Sequence, residues 1–172
     1  MCRLPPEYLT RHICAGLLSR QHREAAKKFG IEVEEADNYC TLLAGTAAGC
    51  GIRPEAFQDK AVRGFRIRLN ANHDLPTRYA TLAHELGHVY CGHVGEDDKG
   101  RWPKRTDLSH AQVELEAEAV AWLVCQRNSV KSKSRKYLSS LMNGADLSGI
   151  SMYAIFEAAN RVESRTAPVE RK

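Results

Sequence analysis

Residues 84–88 read His-Glu-Leu-Gly-His inside a stretch whose apolar residues recur at helical spacing. On a helix, residues four apart share a face, so His84 and His88 can reach one cation and Glu85 can address a water beside it. The same spacing predicts a core-facing stripe, Leu82, Leu86 and Val89, next to the histidine face. A chain carrying this pattern is predicted to hold a metallopeptidase-type site, provided a third donor arrives from elsewhere.

The surrounding punctuation agrees with a helix there. Phe65-Arg66-Ile67-Arg68-Leu69-Asn70 alternates apolar with polar, the pattern of a strand with one buried face, and Asn70 to Asp74 reads as a turn. Pro76 suits the first turn of the helix that follows, and Gly92 or Gly95 marks its end. The charged run Glu96 to Arg101 reads as a loosely held loop with Trp102 as its one aromatic anchor. Ser109 or Asp107 then caps a second long helix, reaching about Arg127.

Outside this centre the chain is mostly helical in pattern. Residues 7–28 read as a helix stopped by Gly30, and the alanine-, leucine- and glycine-rich run up to Gly51 reads as another, packed closely against a neighbour. Tyr137 to Met142 and Ile150 to Val162 form two more, and the residues beyond Arg165 read as a frayed tail. The whole reads as a single domain: a helical part over 1–60, a core over 61–165 and a tail over 166–172.

At 172 residues the chain is long enough to bury a core without a structural metal. Its net charge of +4 falls short of a dedicated nucleic-acid surface, so direct DNA binding is not favoured. Six cysteines without a Cys-x-x-Cys pair, and no apolar leader after Met1, point to free thiols and a cytoplasmic location. The longest uncharged run, Asn38 to Ile52, is 15 residues with three glycines, too short to span a bilayer, so no membrane partner is expected.

For the third donor, Glu114 is the leading candidate, 26 residues after His88 on the second long helix. Glu118, one turn on, is placed to orient a ligand imidazole, as such histidines need. Glu116 points away from both. His93 competes as third ligand, five residues after His88 at a glycine turn, although its spacing departs from the three-histidine zinc motif. Cys91 and Cys125 read as small buried hydrophobes, and His12, His22, His73 and His110 as surface or capping residues. With Zn2+ as cofactor, Glu85 takes a proton from the activated water and passes it to the leaving amine. If the strand from Phe65 is an exposed edge, an extended peptide can pair with it, and Arg66 and Arg68 then contact acidic flanking residues of a protein substrate.

Arg78-Tyr79-Ala80-Thr81-Leu82-Ala83-His84-Glu85-Leu86-Gly87-His88, preceded by Ile-Arg-Leu-Asn and followed by Gly92-His93, resembles the ImmA/IrrE family of metallopeptidases. The run from Glu114 to Ala121 continues the likeness, and the segments Tyr90 to Gly95 and Glu114 to Glu118 also resemble the zinc domain of ArdC-type antirestriction proteins. The resemblance spans about Phe65 to Arg127. It implies a zincin-like α+β fold, with a small, mostly antiparallel sheet packed against the metal helix and a glutamate-bearing helix. It also implies zinc on His84, His88 and Glu114, with Glu85 as base, and limited proteolysis of a regulatory protein such as a transcriptional repressor in a mobile element or stress response. The ArdC-like segments carry the competing expectation, an antirestriction or DNA-associated protein whose metal site is structural or vestigial.

Overall fold

The computed structural model describes residues 19–37, 45–50, 64–97, 99–143 and 146–164. The fold is α+β. A helix over residues 19–27 (α1) leads through Gly30 into strand β1 (Ile31–Ala36), then β2 (Gly45–Cys50) and β3 (Gly64–Asn70). Four helices follow: α2 (Leu75–Tyr90), α3 (His110–Arg127), α4 (Ser134–Leu141) and α5 (Met152–Glu163). Expectations for residues 1–18 and 165–172 lie outside the described residues.

The three strands form one sheet in the order β1-β3-β2. β3 runs parallel to β1 and antiparallel to β2, so the sheet is mixed, and the expected antiparallel arrangement holds for one of its two pairings. Two strands thus come from the part read as helical. The run up to Gly51, expected to be a helix, is instead a strand over Gly45–Cys50, because β3 supplies backbone partners that side-chain pattern did not reveal; its residues 38–44 and 51 lie outside the described residues.

Alternation along β3 sets the layers. Phe65, Ile67 and Leu69 are buried on the face that meets α2, while Arg66 and Arg68 occupy the other face. There the parallel register sets Glu32 beside Arg66 and Glu34 beside Arg68, and both pairs bond, the first at 3.2 Å.

α2 begins at Asp74, whose side chain accepts from Thr77 N at 3.0 Å, with Pro76 in the first turn. Leu82, Leu86 and Val89 are fully buried, as the stripe predicts. α3 is packed against α2, and the two approach closely at Gly87. A Cβ there would lie 3.2 Å from the backbone of Ala117 and from Val120. The glycine inside the motif therefore lets a neighbouring helix approach the histidines. α3 itself opens with a capping box, Ser109 Oγ accepting from Gln112 N while the Gln112 side chain accepts from Ser109 N.

The core lies between the inner face of β3, α1, α2, α3 and α5. Trp102 joins it at 2% exposure, edge-on to Tyr90 and tilted against Phe29 and Phe65. The loop before it is better held than its charge suggests. Asp97, itself buried, accepts from Lys99 N and Arg101 N and pairs with the Arg101 guanidinium, which lies 4.5 Å over the Phe29 ring. Among the described residues no helix is long and apolar enough to cross a membrane.

Candidate metal centre

α2 presents His84 and His88 one turn apart, and α3 brings Glu114 across from them. The Nε2 atoms of the two imidazoles are 3.1 Å apart. Glu114 Oε2 lies 3.5 Å from His84 Nε2, and Oε1 lies 3.4 Å from His88 Nε2. Two ring nitrogens and a carboxylate thus converge on one point at the edge of the protein, where Glu114 keeps 30% of its side chain exposed. Helical spacing set the histidine pair; the close crossing at Gly87 set the carboxylate.

The remaining ring atoms fit a cation at that point. A ligating imidazole offers Nε2 only if Nδ1 holds its hydrogen, and a partner at Nδ1 fixes this. His84 Nδ1 faces Glu118 Oε2 at 3.0 Å, the contact an orienting carboxylate would need. His88 Nδ1 faces His93 Nδ1 at 3.1 Å. Donor type, convergence and partners all suit a divalent metal that would be held by two nitrogens and one carboxylate.

Electrostatics reinforce the cluster. Contacts with His84 and His88 hold the Glu114 carboxyl well below the usual range. Burial opposes a charge on His84, yet Glu114 and Glu118 lift it to about 10. Burial lowers His88, against the pull of Glu114. Glu85 behaves differently: it is 7% exposed, and burial pushes it up to about 7, with the negative charge of Glu114 adding and His84 opposing. Beside it, β2 begins at Gly45, where a Cβ would lie 3.2 Å from Glu85 Oε1 and 2.7 Å from Thr81 Cγ2.

His93 is close to this site but does not join the donor cluster. α2 ends in a Schellman motif: Gly92 N bonds Val89 O at 3.0 Å, His93 N bonds His88 O at 3.0 Å, and Gly92 adopts φ +82°. That turn folds the His93 side chain back onto His88. Its other nitrogen, Nε2, is 2.9 Å from Glu116 Oε2. With both nitrogens so engaged, His93 stands behind His88 rather than beside it.

Glu116 is the residue that sequence reasoning passed over. It is wholly buried, and its carboxylate receives Arg105 Nη1 and Nη2 at 2.5 and 2.7 Å and Ser151 N at 2.7 Å. Burial opposes its charge, but His93, Arg105 and the Ser151 amide hold it down at about 2. A usable signal was present: a glutamate between Leu115 and Ala117 on a helix rich in alanine and valine needs buried partners. Cys91, His93 and Glu116 lie close enough to suggest a second cation site. Arg105 already occupies both oxygens of Glu116, and burial pushes the Cys91 thiol up to about 12, so that group is a poor ligand set. Cys125 is likewise buried, free and pushed up to about 12.

The other expectations divide. β3 is the central strand, its backbone paired on both sides, so it offers no edge to a peptide; the reading of Arg66 and Arg68 as substrate contacts loses that basis. Both side chains lie on the sheet face away from α2 and reach Glu32 and Glu34. His22 is buried rather than superficial, 3.1 Å from the Tyr79 hydroxyl. His110 is exposed at the start of α3, 3.9 Å from Glu114.

Neither the curated proteins nor the solved structures offer a match to this chain. The family model of the IrrE N-terminal-like domain, Peptidase_M78, matches residues 26–125, which take in all three strands, α2 and most of α3. With more than half of the chain matched, including every residue of the His84, His88, Glu114 cluster, the protein belongs to this family of metallopeptidases.

Proposed function

We propose that the protein is a zinc-dependent endopeptidase that cuts a regulatory protein, repressor-like in kind, by limited proteolysis. The observation that carries this reading is the convergence of His84, His88 and Glu114 on one point, with Glu85 next to His84 as a buried carboxyl whose pKa burial raises. A base with a pKa near neutral can both take a proton and return it.

His84, His88 and Glu114 would hold the metal, which when bound supplies Lewis acidity toward a water and a carbonyl. Glu85 accepts the proton of the attacking water and delivers it to the leaving amine. Glu118 and the His93 side keep the two imidazoles turned inward. β2 is an edge of the sheet among the described residues, and it starts beside Glu85, so an extended peptide pairing with its outer backbone would pass the base.

The substitution Glu85→Gln tests this. The variant is expected to bind Zn2+ as the wild type does and to lose cleavage of a co-encoded regulator by about 100-fold or more. Unchanged cleavage would sink the proposal. Retained biological activity in that variant, with DNA affinity that falls steeply with salt, would favour the antirestriction or DNA-associated reading instead.

A further inference from the structure

The groups behind His88 admit a single consistent placement of hydrogens when His88 is to bind a cation. Glu116 takes two bonds from a guanidinium that keeps its protons and one from Ser151 N, so it is an ionised acceptor. His93 Nε2, 2.9 Å away, must then carry a hydrogen. In a neutral His93 this leaves a lone pair on Nδ1, which faces His88 Nδ1 at 3.1 Å. His88 therefore donates from Nδ1, and its own lone pair falls on Nε2, the atom turned to His84 and Glu114. A doubly protonated His93 would reverse the second bond, put the hydrogen of His88 on Nε2 and close the site.

We infer that His93 is a positioning residue: backed by Glu116 and Arg105, it holds His88 in the tautomer whose Nε2 is free for the cation. The middle of the chain is buried, with 2% exposure at the His93 side chain and none at Glu116, so water does not compete for the bond between them. It also joins three segments. Arg105 N bonds Gly92 O at 2.9 Å, Arg105 Nη2 bonds Gly149 O at 3.1 Å, and Ser151 caps α5. The position of α5 and of the loop after α2 is thereby tied to the orientation of His88. The inference rests on the cation site of the reading above and does not depend on peptide hydrolysis.

Two measurements test it. The first is Zn2+ affinity by competition with a chromophoric chelator, on wild type, His93→Phe and His93→Gln. Phenylalanine fills the space without hydrogen bonds and is expected to weaken binding about 10–100-fold. Glutamine can accept from His88 and donate to Glu116, and is expected to restore most of the loss. Wild-type affinity in His93→Phe, or equal weakening in both variants, would overturn the inference. So would a Co2+ spectrum showing one ligand fewer in His93→Phe, since His93 would then be a ligand. The second is 15N imidazole NMR of the metal-free wild type, expected to show His88 protonated at Nδ1 and His93 at Nε2. The opposite tautomers would overturn the relay, and this measurement stands if His93→Phe does not fold. A wild type that binds neither ion but shows the expected tautomers would refute the zinc reading while leaving the relay intact.

Discussion

His84 and His88 sit one turn apart on the same helix, yet they are anchored in different ways. Behind His84 stands a single carboxylate, Glu118, 13% exposed and bonded otherwise to the Ser134 side chain. Behind His88 stands a chain whose centre, His93 and Glu116, is buried and backed by Arg105, with contacts from the α5 cap and the loop after α2. Water can stand in for a lost partner at a partly exposed bond, but not at a buried one, where each missing member strands the next. The outer anchor therefore tolerates change, and the inner one holds only when all its members are present.

The sharpest test of that difference is to remove one carboxylate from each side. Glu116→Ala leaves Arg105 and His93 without their buried partner and is expected to destabilise the metal-free protein by about 3–5 kcal/mol in denaturant unfolding. Glu118→Ala is expected to cost about 1–2 kcal/mol. Equal losses would break the comparison.

Acid probes the same network without mutation. Glu116 is lowered from 4.5 to about 2 when folded, so its contribution is fully present above pH 4.5 and is lost as pH falls from there through 2. Unfolding of the metal-free wild type should become steadily easier over that window, and Glu116→Ala should show a shallower decline. Parallel curves for the two proteins would mean that Glu116 is not the group responsible.

Gly92→Ala attacks the turn that delivers His93. At φ +82° an alanine is strained, and its Cβ would lie 1.9 Å from Pro103 O, so a loss of about 1–3 kcal/mol is expected, with weaker Zn2+ binding. At Gly95, which is open around its Cβ position, the same change should leave Zn2+ binding as it was. The smallest effect belongs to the far face of the sheet: Arg66→Gln removes a half-exposed ion pair with Glu32 and should change stability by less than about 0.5 kcal/mol and peptide cleavage not at all. A clear loss of cleavage there would return Arg66 to the substrate site.

Much of this centre was legible from local pattern. The metal helix, its Pro76 start and Gly92 end, the buried stripe and the Ser109 cap are all short-range features, and each occurs where spacing put it. Glu118 faces His84 because residues four apart on α3 follow Glu114 along one face. Other residues resisted that reading for physical reasons. β2 is built by pairing with β3 and carries no alternation of its own. β3 alternates as an edge strand would, and only the arrival of β1 and β2 on both sides makes it central. Glu116 points away from His84 and His88, as its spacing says, but the turn, loop and α5 cap that meet it there come from other segments of the chain.

The sequence by itself determined the placement of two imidazoles and a carboxyl at fixed helical offsets, because an α-helix converts spacing into direction. Only the tertiary structure decided which carboxylate completes the cluster, that His93 lies behind His88 rather than at the cation, and what surrounds Glu116. Those outcomes depend on how closely α2 and α3 cross at Gly87 and on how the Schellman turn is backed by Arg105. Long-range packing sets both, and no local spacing encodes it.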